Sequence, residues 1–145
     1  MQILERGDWG VLVHVPELQL ADYALKAMLQ REHALLKAKG WADDDLPATA
    51  EVIGVYLDSA PIAAFAFEQC EDMLWLYMTV VLERHRGQGH YQRMWSYLVK
   101  QAQRRKVATI DSSVHVANEV SRACATRRGS MAEYLIYTYK VKPNA

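Results

Sequence analysis

The chain has 145 residues, 51% of them apolar, 10% aromatic and 23% charged. That length can close one sizeable hydrophobic core, and that apolar fraction excludes a disordered chain. No apolar run approaches a membrane span and no basic-then-apolar leader opens the N-terminus, so a single domain in the cytoplasm, away from the membrane, is expected. Two cysteines, Cys70 and Cys124, make no disulfide framework and fit a reducing compartment. The formal net charge of zero hides a split. Up to Glu83 there are 5 Lys+Arg against 14 Asp+Glu, a balance of −9; from Arg84 onward there are 12 against 3, a balance of +9. Between Arg84 and Ile110 no acid occurs, whereas Arg84, Arg86, Arg93, Lys100, Arg104, Arg105 and Lys106 do. One half is thus suited to an anion and the other to a cation.

Trp9 to Val15 is β-branched and apolar between Gly10 and Pro16, and reads as a first strand. From Leu18 to Lys39 apolar residues recur near the helical period, with Gly40 placed to end the run. Trp41 to Ala50 reads as a loop whose Asp43–Asp45 triplet is a solvated turn. Glu51–Leu57 and Ile62–Phe67 flank the turn-rich Asp58-Ser59-Ala60-Pro61 and form a hairpin. Met73–Leu82, apolar on both faces, is a central strand candidate. Tyr91–Arg105 follows as a helix, Ala108–Val116 as a strand, and Asn118 is placed to cap a short helix that Gly129 closes. Ala132–Val141 is a last, tyrosine-rich strand. This order predicts a mixed sheet with helices packed on it.

The stretch that organises the rest is Arg84-His85-Arg86-Gly87-Gln88-Gly89-His90-Tyr91, between the central strand and the second long helix. Two glycines one residue apart let the backbone approach a ligand closely. The amides of a helix's first turn have no intrahelical acceptor and, with the helix dipole, favour phosphate. The residues therefore point to a pyrophosphate cradle or, in the plainer reading, a glycine-rich turn.

Arg84-x-x-Gly87-x-Gly89, with Arg86 directly before Gly87, resembles the acyl-CoA motif Gln/Arg-x-x-Gly-x-Gly/Ala of the GCN5-related N-acetyltransferase (GNAT) superfamily. Asn118-x-x-Ser121-x-x-x-Ala125-x-x-x-Gly129-Ser130 keeps the Asn-to-Gly spacing of that family's second signature, N-x-x-A-x-x-x-Y-x-x-x-G-F. The resemblance implies an α/β (α+β) fold with a mixed, mostly antiparallel central sheet of about six strands and helices on both faces. It implies acetyl-CoA as co-substrate, with Arg84, Arg86, Gly87, Gln88, Gly89, His90 and Tyr91 forming the pyrophosphate cradle. Main-chain groups of Met78, Thr79, Val80 and Val81 would pair with the pantetheine arm where this strand splays from Ala108–Val116, and Asn118 would contact pantetheine or CoA.

Acetyl transfer to an amine also needs a base, an oxyanion donor and an acid for the leaving thiolate. Glu68, Glu71 and Asp72, at the mouth between two strands, are the base candidates. The family's acid is a tyrosine, but that position here is Ala125. Cys124, Ser121, His115, Tyr134, Tyr137 or Tyr139 could substitute, or the thiolate leaves unassisted. Ser130 stands where an aromatic follows the glycine in the family. No metal-ligand spacing joins the histidines, and no metal is expected. The resulting expectation is an N-acetyltransferase acting on a primary amine of a small molecule or protein, or else a catalytically silent acyl-CoA-binding domain. The basic run is read as a surface for the coenzyme rather than for nucleic acid, and the resemblance allows a homodimer.

Overall fold

A computed structural model describes residues 1–42, 45–114, 117–133 and 136–144. The chain runs β1 (Gln2–Gly7), β2 (Gly10–Val15), a 3₁₀ turn (Leu18–Leu20), α1 (Tyr23–Ala38), β3 (Glu51–Leu57), β4 (Ala60–Cys70) and β5 (Met73–Val81). A 3₁₀ turn (Glu83–His85), α2 (His90–Arg104), β6 (Thr109–Ser113), α3 (Glu119–Arg127), β7 (Met131–Glu133) and β8 (Ile136–Lys140) complete it. All eight strands join one sheet in the order β1-β2-β3-β4-β5-β6-β8-β7. Every pairing is antiparallel except β5 with β6, which is parallel.

Eight strands replace the expected six or so, for two reasons. β1 is an edge strand almost wholly exposed, so it lacks the buried alternation by which strands are read. The last strand divides into β7 and β8. The expected end of β6 at Val116, the acids Asp43 and Asp44, and the candidate donors His115 and Tyr134 lie outside the described residues.

Local chemistry sets the helix ends. α1 starts after Leu18–Leu20 because the Asp22 carboxylate accepts from the Leu25 amide at 2.8 Å. Asn118 caps α3, accepting from the Ser121 amide at 3.2 Å. α1 and α2 cover opposite faces of the sheet. On one face Leu25, Met28 and Leu29 of α1 pack over Val52, Ala64, Ala66, Met78 and Val80. On the other, Met94, Trp95, Leu98 and Ala102 of α2 pack over Ile53, Phe65, Phe67, Leu74, Leu76 and Ile110.

β5 changes face partway along. Its pairing with β4 steps from Phe67↔Leu76 to Ala66↔Met78, so Tyr77 is an extra residue, a β-bulge. Before the bulge Leu74 and Leu76 point to the α2 side; after it Met78 and Val80 point to the α1 side. The same place marks a separation. The β5–β6 ladder begins at Met73↔Thr109 and stops at Leu76↔Ser112, and beyond it β5 pairs, among the described residues, with β4 alone. The sheet is forked there.

Candidate functional site

The helix α2 begins beside that fork. Its cap, Gly89, has φ +83° and Gly87 has φ +75°, both left-handed conformations that cost a side-chain-bearing residue about 1–2 kcal/mol. The Arg86 amide closes the 3₁₀ turn onto the Glu83 carbonyl at 3.3 Å. Beyond it, no acceptor among the described residues takes the amides from Gly87 to Gln92. The open run covers the glycine turn and the first residues of α2. A Cβ on Gly87 would meet nothing within 4 Å, so the turn faces open space; one on Gly89 would sit 3.5 Å from the Arg93 guanidinium. These unpaired donors at a helix N-terminus fit a pyrophosphate.

The flanking side chains are partly committed. Arg86 donates through Nε to the Val81 carbonyl at 3.1 Å. Arg93 donates to the Gln88 carbonyl at 2.9 Å and lies 4.5 Å from the centre of the Trp9 ring. His90 is buried beside Trp9 and Arg93. Burial, reinforced by the charges of Arg93 and His85, holds its pKa below the ordinary histidine value. The basic run does not form one open face, because Arg93 and Arg105 are both engaged. Arg93, Lys100 and Arg104 instead line a groove of about 690 Å³ between β1 and α2 that reaches Gly89.

The three candidate bases are not brought together. Glu71 and Asp72 are exposed in the β4–β5 turn, where Glu71 has φ +52°. Glu68 lies on the α1 face beside the bulge, accepting from the Tyr77 hydroxyl at 2.7 Å and from the Thr49 hydroxyl at 2.9 Å. The register continues Glu68↔Trp75↔Asp111↔Thr138 across β4, β5, β6 and β8. Ile110 belongs to the α2-side core and Ser112 is bonded by Arg128, so Asp111 between them projects to the α1 face with Glu68. Neighbouring strands lie about 4.8 Å apart, which puts the backbones of Glu68 and Asp111 about 10 Å from one another. Asp111 Oδ1 is buried and has no hydrogen-bond partner among the described residues. Sequence reasoning passed over Asp111, since one acid in a strand pattern carries no signal of its own.

On the α2 face, Ala125 is 1% exposed and can donate nothing. Cys124 is partly buried, with Arg127 donating to its Sγ at 3.5 Å. Arg128 was also passed over. It donates to Tyr91 Oη at 2.6 Å, Ser112 Oγ at 2.9 Å and Ser130 Oγ at 2.9 Å. Its guanidinium stacks 4.4 Å from the centre of Trp95. Its partners lie on α2, on β6 and just before β7, so no local spacing reveals the cluster. No group of three or more His, Cys, Asp or Glu that could hold a metal ion occurs among the described residues. No described helix is long and apolar enough to cross a membrane.

A sequence model of the acetyltransferase (GNAT) family matches residues 17–129. A comparison with curated proteins finds no match. Among solved structures, the chain is similar to the ribosomal-protein-S18-alanine N-acetyltransferase of Escherichia coli, at 13% identity and a TM-score of 0.67, over 92% of this chain and 96% of that one. A GNAT-family acetyltransferase of Staphylococcus aureus Mu50 gives 9% identity and 0.69 over 90% and 99%. PaiA N-acetyltransferase of Thermoplasma acidophilum, in complex with coenzyme A, gives 12% and 0.56 over 78% and 68%. At such identities the structural likeness carries the fold, and the sequence match carries the family: this chain belongs to the GNAT acetyltransferases, a family of acyl-transfer proteins.

Proposed function

We propose that the protein is an N-acetyltransferase that moves an acetyl group from acetyl-CoA to a primary amine of a small molecule or protein, working as a single domain in the cytoplasm. The observation that carries this reading is the adjacency of two incomplete surfaces. Among the described residues, the amides from Gly87 to Gln92 are open and lie directly beyond the strand whose edge has no partner after Leu76. The first suits the CoA pyrophosphate, and the second suits an amide-bearing pantetheine arm laid along Met78, Thr79 and Val80. Val81 offers less, because its carbonyl already accepts from Arg86. Asn118 uses its carbonyl oxygen as a cap, which leaves its amide hydrogens for the cofactor.

On the opposite face, Glu68, Trp75 and Asp111 form an acidic–aromatic–acidic row suited to an alkyl ammonium. Such an ammonium has a pKa of about 10.4 and must lose a proton before attack. Glu68, steadied by two hydroxyls, and Asp111, with one carboxylate oxygen unpaired, are the groups placed to take it. Glu71 and Asp72 stay outside this reading, because the turn holds them several residues from the fork.

One observation favours a second reading, a silent acyl-CoA-binding domain: the buried Ala125 where the family carries its acid. Calorimetric titration with acetyl-CoA, followed by thiol release with a panel of primary amines, tests both. Absence of binding removes the two readings together. Binding without thiol release for any amine leaves the silent domain.

A further inference from the structure

Ala125 leaves the leaving thiolate without the family's proton donor, yet three residues on Arg128 caps the end of α3. The Tyr91 ring packs edge-on against Phe65 of β4, with ring centres 5.0 Å apart. Arg128 joins the Tyr91 hydroxyl to Ser112, and Ser112 forms the last rung between β5 and β6. The chain Phe65–Tyr91–Arg128–Ser112 therefore passes from β4 to β6 on the α2 face, across the fork at its apex.

Two features of this bridge are unusual for structural contacts. The acceptors that Arg128 finds are three hydroxyl oxygens, and among the described residues no carboxylate pairs with it, so its positive charge is uncompensated. Because Arg128 donates into Tyr91 Oη, the phenol's own hydrogen points elsewhere and has no acceptor among the described residues. Burial pushes the Tyr91 phenol above its ordinary pKa while the Arg128 charge opposes, so the group is protonated and a donor at neutral pH.

We propose that Tyr91 is the proton donor to the departing CoA thiolate and that Arg128 is its positioning residue, an assignment that rests on the acetyl-transfer reading above. As the acceptor nitrogen bonds to the acetyl carbon and the carbon–sulfur bond breaks, the sulfur keeps the bonding pair and takes the Tyr91 proton. The phenolate left behind faces the Arg128 guanidinium and recovers a proton from the one that the acceptor ammonium has released. The donor has moved from α3 to the first turn of α2, and an arginine just after α3 holds it in place.

The test needs no acceptor. The thiol of CoA bound to the intact protein is titrated through its thiolate ultraviolet absorbance, in the wild type, Tyr91→Phe and Arg128→Lys. A free thiol titrates near 8.5, and the wild-type complex should titrate at least about one unit below the Tyr91→Phe complex. Arg128→Lys, which keeps the charge and loses the fork, should fall between them. With an active amine, Tyr91→Phe should slow turnover by about 100-fold at an unchanged KM for acetyl-CoA. Tyr91→Phe retains the ring on Phe65, so it tests the assignment even where Arg128 variants fold poorly. A Tyr91→Phe complex that binds CoA and titrates like the wild type overturns the donor assignment alone. A wild type that binds no CoA overturns the transfer reading beneath it.

Discussion

The two ends of α2 are built on opposite terms. At its N-terminus, among the described residues, the amides from Gly87 to Gln92 have no acceptor, and the nearby Arg128 has hydroxyls but no counter-charge. At its C-terminus, Arg105 grips Glu51 with two bonds of 2.7 Å, and His14 adds a third at 3.0 Å. Tyr97 and Gln101 extend that network to the other ring nitrogen of His14. Burial works against the Glu51 charge but is outweighed by the hydrogen bonds from Arg105 and His14, which hold its pKa at about 2. One end is closed on itself and ties α2 to β2 and β3. The other is left incomplete, as a surface that a ligand must finish.

Substitutions at the two ends should therefore separate binding from stability. Gly89→Trp should weaken acetyl-CoA binding by about 100-fold or more in calorimetry, because it fills the approach to the open amides. Its effect on the urea midpoint should be confined to the left-handed strain of about 1–2 kcal/mol. Glu51→Ala should do the reverse, leaving acetyl-CoA affinity unchanged and costing about 2 kcal/mol in urea unfolding. A fully buried pair would cost more, but these side chains keep 19% and 22% of their surface in water. Its pH signature follows from the depressed pKa. The Glu51 contribution is complete above the unfolded value near 4.5 and is lost as pH falls toward about 2, so wild type and variant should converge in acid. Ala125→Tyr, which restores the family residue, should cost about 1–2 kcal/mol by overpacking a site that is 1% exposed, without faster turnover. Asp111→Asn should shift stability by less than about 1 kcal/mol, since the charged oxygen it removes has no partner to lose. The rate with amine acceptors should nevertheless fall.

What could be read in advance was local. The glycine pair and the Asn118 cap each declare themselves within a few residues and stand where the chain pattern places them, while the β3–β4 turn is shorter than read, Asp58-Ser59, because Ala60 and Pro61 already pair with Leu57 and Tyr56. What could not be read was assembled across distance or lacked contrast. Arg128 meets Tyr91 and Ser112 only because α3 folds back beside α2, at sequence separations of 37 and 16. Asp111 is an acid inside a strand, and only the register with Trp75 and Glu68 gives it company. β1 has too few buried side chains to show a period.

The bulge at Tyr77 gives β5 two reading frames. Even-numbered positions serve the α2-side core up to Leu76 and the α1-side core from Met78. Deleting that single residue would leave every side chain on its own core, because Leu76 and Met78 already pair with the consecutive residues Phe67 and Ala66. The ladder can spare the extra residue, and what it contributes is local: a side chain whose hydroxyl donates to Glu68. A deletion at Tyr77 should therefore keep both cores and lose the hydrogen bond to Glu68, whereas a one-residue deletion beyond Met78 would turn the later side chains to the opposite core.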